Sequence, residues 1–205
     1  MKTLELFCGT KSFSNVAEQY GYETFTLDNS PLFNATLTID ILDFDIDMLN
    51  GYNPDIIWAS PPCTKFSVAS VYRNWNYDGS NYIPKNNETK EALDIMLKTW
   101  NIILLLKPKY YYIENPRAML RKTEIFPDPF NTVTYCQYGF TNMKPTDIWH
   151  NNPKWGDVAK SCKNGMKCHE AAPRGSRTGT QGIKNAKDRG KIPPKLIEEI
   201  LNYSK

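Results

Sequence analysis

The chain has no hydrophobic run long enough to span a membrane. Its longest uninterrupted apolar stretch, Ile102 to Leu106, has five residues, whereas a membrane-spanning helix needs about 20. The first residues, Met1 to Leu4, lead directly into a strand pattern, so we also see no signal peptide. These absences predict a cytoplasmic protein with no membrane partner.

Cysteine is too scarce and too unevenly spaced for a disulfide framework. An odd number of cysteines, five, in a chain without an export signal favours a reducing compartment. Cys162, Cys168 and His169 follow Cys136, but they lack the tight Cys-x-x-Cys pairs that are typical of zinc sites. We therefore predict ordinary loop residues and no bound metal, with a zinc site as the less favoured alternative.

Charge is distributed unevenly along a chain that is otherwise free of repeats and low-complexity segments. The 205 residues, 40% of them hydrophobic, predict a single domain around one core. Residues 1–150 contain 13 Lys/Arg and 17 Asp/Glu, whereas residues 151–205 contain 12 and 5. This basic C-terminal quarter suggests a polyanionic partner, and a solvated lysine-rich tail is the alternative.

Strand and helix patterns alternate along the chain. Residues 71–87 are polar and aromatic without a period, and they predict a loop. The alternation predicts an α/β fold, a doubly wound and mostly parallel sheet with helices on both faces. The predicted strands are Thr3–Phe7, Tyr22–Leu27, Leu37–Ile41, Asp55–Ala59, Tyr110–Ile113, Asn131–Cys136 and Asp147–Trp149, and the predicted helices are Ser12–Tyr20, Asp45–Asn50, Glu88–Leu106 and Lys195–Asn202.

A cysteine and a glutamate follow two of the predicted strands. Cys63 comes just after Pro61-Pro62, where two prolines stiffen the turn and give the thiol a defined direction. Glu114 directly follows the strand that begins at Tyr110. Because ligands bind at the carboxyl ends of parallel strands, we expect the thiol and the carboxylate to converge on one crevice. A buried turn cysteine with a capping glutamate is the alternative.

Three further strand ends carry residues suited to a nucleoside-like ligand. Gly9 lies in the turn between the first strand and the first helix, where a helix N-terminus favours a polar or anionic group. Asp28 ends the second strand and can accept from a ribose diol. Asp40 ends the third strand and is placed to border an adenine. Taken singly, each acidic residue is equally consistent with a turn, so the prediction depends on the three together.

A set of short motifs follows the chain in a fixed order. The motifs are Leu4–Gly9, Ser12–Ser14, Asp28, Ser60–Ser67, Glu114–Arg117, Tyr138-Gly139 and Lys144–Trp149. In their order and rough spacing the chain resembles the DNA cytosine-5 methyltransferases, and in particular their compact phage-encoded members, over nearly its whole length. The most specific part of the resemblance is the Pro-Pro-Cys and Glu-Asn pair, since enzymes that methylate amino groups place an aromatic residue after Pro-Pro.

The resemblance implies a Rossmann-like class I methyltransferase that uses S-adenosylmethionine to methylate carbon 5 of cytosine in double-stranded DNA. Cys63 would add to the ring at carbon 6, and Glu114 would stabilise the charge at N3. It further implies a monomer in the cytoplasm of a bacterium or a phage-infected host. The residues implied to bind the methyl donor are Phe7, Cys8, Gly9, Thr10, Ser12, Phe13, Asp28, Asn29, Asp40, Ile41 and Pro61.

The chain departs from the family pattern at three places. Lys11 stands where more glycine is usual, and Lys144 is our candidate for the cation near the pyrimidine O2, in place of the family's arginines. We expect no large target-recognition domain, because only 56 residues follow Trp149. We therefore predict that Asn115, Arg117, Arg174 and Arg177 contact DNA and that the sequence recognised is short.

These interpretations divide the chain into three parts of one domain. Residues 1–150 form the catalytic core, residues 151–191 form a basic DNA-contacting segment, and residues 192–205 form a helix that packs on the core. Two other functions stay open: a non-catalytic relative that binds nucleic acid or cofactor, and the same chemistry on RNA or a free deoxycytidine nucleotide.

Overall fold

The computed structural model describes residues 1–127, 129–170, 183 and 185–205. Within them, seven strands form a central sheet with the order β3-β2-β1-β4-β7-β9-β8, and two short strands, β5 and β6, form a hairpin. The strands are β1 Lys2–Leu6, β2 Glu23–Asp28, β3 Leu37–Thr38, β4 Ile56–Ala59, β5 Trp75–Tyr77, β6 Tyr82–Pro84, β7 Tyr110–Pro116, β8 Phe130–Thr134 and β9 Pro145–His150.

The sheet is mostly parallel, as the alternating pattern predicts. Strands β1, β2, β3, β4 and β7 pair in parallel, and β9 runs antiparallel to both of its neighbours, β7 and β8. All four residues of β4 are buried, which is expected of a central strand covered on both faces. This confirms the predicted Rossmann-like, doubly wound fold class.

Helices cover both faces of the sheet. They are α1 Ser12–Gln19, α2 Val71–Asn74, α3 Asn87–Leu106, α4 Pro153–Gly156, α5 Ala186–Gly190 and α6 Pro194–Tyr203. Successive residues of β4 point to opposite faces: Ile57 packs in the cluster that contains the buried face of α3, and Trp58 in the cluster that contains α1 and α6. The apolar side of α6 is fully buried against this second cluster. None of the described helices combines the length and apolar character that a membrane crossing requires.

Residues 71–87, which were predicted to form a loop, contain regular structure, so that prediction is wrong. Residues 71–77 form α2 and β5, and β5 pairs with β6. Trp75 organises the hairpin, since its ring packs on Phe66 and its indole nitrogen donates to the Lys65 carbonyl at 2.8 Å. The strands of this hairpin have three residues each, which is too short for a hydrophobic period to emerge from the sequence.

Several predicted boundaries also shift, and two of the shifts affect the site. Strand β7 continues through Glu114 to Pro116, so the carboxylate lies on the strand itself. Strand β8 ends at Thr134, and Cys136 lies in a 3-10 turn, Tyr135–Tyr138. The predicted helix over 45–50 is a short 3-10 turn, Ile46–Leu49.

Candidate active site

The loop after β4 presents Cys63 at the carboxyl edge of the parallel strands. Asn115 anchors this loop from below, because its side-chain nitrogen donates to the Pro61 carbonyl at 3.1 Å. A turn closes beyond the cysteine, where the Phe66 N–H donates to the Cys63 carbonyl at 3.0 Å. The loop therefore holds Cys63 exposed to solvent while both of its sides are tied to the protein.

Glu114 lies beside this loop because β4 and β7 are neighbours. Ala59 pairs with Ile113 in parallel register, so Glu114 and the loop that follows β4 leave the sheet at the same edge. The Glu114 side chain is buried, accepts a hydrogen bond from the Tyr135 hydroxyl at 2.9 Å, and has the Lys144 ammonium 3.6 Å from the same oxygen. A buried carboxylate held between a hydroxyl donor and a cation is suited to exchange a proton or a hydrogen bond with a ligand.

Lys144 is held by its own set of contacts. Its φ of 28° is unusual for a residue with a side chain, and it turns the chain just before β9. Its ammonium donates to the Arg189 carbonyl at 2.9 Å and lies 4.5 Å from the centre of the Tyr135 ring. The cation is thereby directed at Glu114 and away from bulk solvent.

The two cysteines nearest this edge differ in their surroundings. Desolvation raises the pKa of the Cys63 thiol, and the Glu114 charge raises it further, whereas Lys144 lowers it. The pKa of Cys8 is raised to about 12, mainly by burial and then by the charges of Glu5 and Asp28. Cys8 is also nearly inaccessible, so Cys63 is the better placed of the two to react with a ligand.

The turn after β1 adopts the left-handed conformation repeatedly. Phe7, Gly9 and Lys11 have φ of 59°, 46° and 56°. Lys11 thus occupies a position whose backbone favours glycine, which explains why glycine is usual there in the family that the sequence resembles. The turn is tied to β2 because the Gly9 N–H donates to the Asp28 carboxylate at 2.9 Å.

Glu5 closes the floor of this turn, a role that the sequence analysis missed. Its carboxylate accepts from the Phe13 and Ser14 N–H groups, at 3.2 and 2.9 Å, and so caps the start of α1 from within the sheet. Burial raises its pKa to about 7, although these hydrogen bonds act in the opposite direction. A glutamate within an otherwise apolar buried strand was the available signal.

One cavity of about 470 Å³ joins the turn after β1 to the Cys63 loop. Its size lies within the range of small-molecule sites. Of the predicted residues, it brings together Phe7, Cys8, Gly9, Thr10, Ser12, Pro61, Cys63, Glu114 and Lys144, and the sequence analysis missed Glu5, Lys187 and Arg189 among its lining residues. Lys187 and Arg189 come from α5, within the basic segment whose role was assigned to DNA.

Other predicted donor-binding residues do not line this cavity in the described part of the chain. Asp28 already accepts from Gly9 and from the Ser30 N–H at 2.9 Å, and Asp40 accepts from Leu42 at 2.9 Å. Ile41 is buried in the core and Asn29 is exposed. The Phe13 ring is fully buried, stacked on Trp58 with centroids 5.3 Å apart. Their roles in binding the donor stay predictions.

The residues predicted to contact DNA do not lie together in the described part of the chain. Arg117 is exposed, and Asn115 is fully buried beneath the Cys63 loop, where its contact with Pro61 positions that loop. Arg174 and Arg177 lie outside the described residues.

The four residues predicted to be unrelated loop residues lie together. The ligand atoms of Cys136, Cys162, Cys168 and His169 are all within 4.8 Å of one another. Spacing along the chain did not indicate this proximity, because Cys136 lies in the turn after β8, 26 residues before Cys162.

The chain is similar to known methyltransferases over most of its length. A family model described as C-5 cytosine-specific DNA methylase matches residues 1–143. The "Probable DNA (cytosine-5)-methyltransferase" of frog virus 3 (isolate Goorha) is 30% identical over 98% of this chain and 99% of that protein. The type II methyltransferase M.HindV of Haemophilus influenzae is 23% identical over 69% of this chain and 46% of its own.

A solved structure has the same fold. The Dnmt2 methyltransferase of S. pombe superposes with a TM-score of 0.53 and 12% identity, over 82% of this chain and 58% of that one. The family uses S-adenosylmethionine as its methyl donor, and the turn, the Glu5 carboxylate and the cavity volume of about 470 Å³ fit such a nucleoside-sized ligand. The chain belongs to the C-5 cytosine-specific DNA methylase family.

Proposed function

We propose that this protein methylates carbon 5 of cytosine in DNA through a covalent adduct of Cys63. One observation carries the proposal: the thiol of Cys63, the carboxylate of Glu114 and the turn after β1 open onto one cavity. A methyl donor and a cytosine must meet for transfer, and the shared cavity supports the proposal because it connects the turn assigned to the donor with the thiol. S-adenosylmethionine, when bound, supplies an electrophilic methyl group.

The first step assigned to the protein is addition of Cys63 to cytosine. The Cys63 sulfur, as thiolate, bonds to carbon 6, and the electron pair of the carbon 5–carbon 6 double bond is delocalised towards N3. Carbon 5 thereby becomes the nucleophile that takes the methyl group. Lys144 favours the thiolate because its positive charge lowers the pKa that desolvation has raised.

Glu114 then holds the proton that the adduct requires. A protonated Glu114 donates to N3 as negative charge develops there, and its other oxygen accepts from the exocyclic amine. The Tyr135 hydroxyl, 2.9 Å from Glu114, keeps the carboxyl group oriented. After methyl transfer, N3 returns its proton to Glu114, carbon 5 loses its proton to solvent, the electron pair of that carbon–hydrogen bond re-forms the carbon 5–carbon 6 double bond, and the Cys63 thiolate leaves carbon 6.

The substrate base must leave the helix to reach these groups. Cys63 and Glu114 line a cavity of about 470 Å³, the volume of a small-molecule site and not of a duplex, so a cytosine is flipped out of its stack at a cost of a few kcal/mol. Base reading is assigned to the basic segment 151–191, in which Arg174 and Arg177 are the candidate guanine readers.

A trapping experiment tests the covalent mechanism. DNA containing 5-fluorocytosine keeps the adduct, because fluorine at carbon 5 cannot leave as a proton. With S-adenosylmethionine present, we expect a protein–DNA complex that survives denaturing electrophoresis. Cys63→Ser should form none and should lose methyl transfer by a factor on the order of 10³ or more, because the hydroxyl is not an effective nucleophile here.

Two controls make the result interpretable. Cys8→Ser carries the same chemical change at a cysteine of the donor end of the cavity, and at saturating S-adenosylmethionine it should still trap the substrate. Cys63→Ser should still bind S-adenosylmethionine in equilibrium dialysis. Methyl transfer to DNA at an undiminished rate by Cys63→Ser would refute the covalent mechanism, and donor binding without transfer to DNA, RNA or deoxycytidine nucleotide by the unmodified protein would identify a non-catalytic relative.

A further inference from the structure

Three thiols and one imidazole lie close together at the turn that carries Tyr135. Methyl transfer does not use this group of side chains. Cys136 comes from the 3-10 turn after β8, and Cys162, Cys168 and His169 come from the segment that follows α4. Cys136 is buried, and the other three lie towards the surface side of the same cluster. Residues of these types, rather than carboxylates, are the ligands that zinc prefers.

Three of the distances within the cluster match those of a tetrahedral metal site. A zinc–sulfur bond of about 2.3 Å places two thiolates about 3.8 Å apart, and a thiolate and an imidazole nitrogen about 3.5 Å apart. Cys168 Sγ lies 3.8 Å from Cys136 Sγ and 3.5 Å from His169 Nδ1, and Cys162 Sγ lies 3.6 Å from the same nitrogen. Cys136 Sγ and Cys162 Sγ are closer, at 3.2 Å.

We propose that Cys136, Cys162, Cys168 and His169 bind one zinc ion in a closed, structural Cys3His site. Four protein ligands fill the tetrahedral positions, leaving none for a catalytic water. A disulfide is the competing explanation for the closest pair, but it needs a sulfur–sulfur bond of about 2.05 Å and involves only two of the four residues. It gives no reason for Cys168 and His169 to converge on the same point.

The ion would join two segments that the backbone already brings together. The Cys162 N–H donates to the Thr134 hydroxyl at 2.8 Å, and the Thr134 N–H donates to the Lys160 carbonyl at 3.2 Å. Cys136 directly follows Tyr135, whose hydroxyl holds Glu114. Zinc would therefore fix the turn that carries Tyr135 and, at His169, the beginning of the stretch that contains Arg174 and Arg177.

Metal content of the full-length protein tests the proposal. We would express it without a histidine tag, in medium supplied with zinc, and purify it under reducing conditions. Elemental analysis should give about one zinc per chain. After exchange for Co²⁺, the protein should show the visible ligand-field bands of tetrahedral cobalt and a near-ultraviolet band from thiolate-to-cobalt charge transfer.

Variants assign the metal to these four residues. Cys168→Ser and His169→Ala should lose most of the zinc, whereas His169→Cys should retain it, because cysteine replaces one good zinc ligand with another. Cys63→Ser removes a cysteine outside the cluster and should keep the full zinc content. The cobalt spectrum of the unmodified protein remains informative even where a variant fails to fold.

Three results would overturn the proposal. One is reduced, folded protein that carries no zinc and gives no tetrahedral cobalt spectrum. Another is a mass two units below that of the reduced chain together with an absence of metal, since this indicates a disulfide. The third is zinc content that is unchanged in Cys168→Ser and His169→Ala. Because metal is measured directly, none of these outcomes depends on whether the protein methylates DNA.

Discussion

Tyr135 shows how a single hydroxyl can matter for catalysis without touching the substrate. It donates to Glu114 at 2.9 Å and its ring lies beneath the Lys144 ammonium, so it orients both groups. We predict that Tyr135→Phe lowers kcat roughly tenfold, the effect of losing about 1.4 kcal/mol of orientation, and leaves KM for DNA within about twofold. Steady-state kinetics of methyl transfer give this split between kcat and KM.

Two comparisons separate positioning from damage to the fold. Tyr138 lies in the same turn, but its hydroxyl donates to Glu199 and not to Glu114. The kcat of Tyr138→Phe should therefore be near that of the unmodified protein. Glu114→Gln should lose far more activity than Tyr135→Phe. If Tyr135→Phe raised KM and left kcat unchanged, the assignment of Tyr135 as a positioning residue would be wrong.

Glu5 makes folding stability depend on pH. Its folded-state pKa is about 7 and its ordinary value is 4.5, so the folded protein binds this proton more tightly than the unfolded chain does. The free energy of unfolding should therefore fall as pH rises from 4.5 to 7, and the contribution of Glu5 to this fall is roughly 3 kcal/mol.

Urea denaturation at several pH values measures this dependence. Other groups titrate too, so the contribution of Glu5 is the difference between the unmodified protein and Glu5→Gln. That difference should change between pH 4.5 and 7 and level off above 7. Glu23→Gln makes the same substitution at an exposed glutamate on β2 and is the matched control. A flat difference for Glu5→Gln would contradict the raised pKa.

At the scale of elements, α6 stabilises α1, the helix that follows the turn after β1. Its buried residues pack in one cluster with Phe13, Val16 and Ala17 of α1. We predict that Ile197→Ala lowers the free energy of unfolding by about 2–5 kcal/mol, because it leaves a cavity where the side chain is fully buried. Chemical denaturation monitored by tryptophan fluorescence measures the change.

A neighbouring residue of α6 provides the control. Glu198 is only half-buried, and Glu198→Ala should change the stability by less than about 0.5 kcal/mol. Equal effects of the two substitutions would mean that α6 contributes through its helicity and not through packing on α1.

For the whole molecule, the separation of charge predicts how DNA is selected. The basic residues of segment 151–191 lie at the end of an otherwise acidic chain, so phosphate and base contacts should depend on them. We predict that methylated sites share only two to four base pairs, an estimate from the few base contacts of so short a segment. Bisulfite sequencing of plasmid DNA from cells that express the protein identifies the sites.

Substitutions of arginine test whether this segment selects the base pairs that the methylated sites share. Arg174→Ala or Arg177→Ala should relax the context or weaken DNA binding at matched salt, with about 1–3 kcal/mol lost per base contact, and should leave donor binding unchanged. Lys90→Ala, an exposed basic residue on α3, serves as the control. Methylated sites that share six or more fixed positions would rule out this assignment.

The sequence by itself determined the fold class and indicated the candidate thiol and carboxylate of the site. Alternating strands and helices specify a parallel sheet, and parallel strands end at one edge. A thiol after β4 and a carboxylate on β7 were therefore expected at the same edge of the sheet, and the pairing of β4 with β7 in the folded molecule makes them neighbours. The sequence was sufficient for this expectation because Pro61-Pro62 and the strand that carries Glu114 are each contained within a few consecutive residues.

Only the tertiary structure decided which further groups meet this pair. Tyr135 reaches Glu114 across 21 positions, Lys144 reaches Arg189 across 45, and Cys136 meets Cys162 across 26. Such contacts depend on how β7, β8 and β9 pair and on where the following turn places its side chains. No period or spacing within the chain encodes these distances, so the hydroxyl that orients Glu114 and the cysteine–histidine cluster emerged only from the folded molecule.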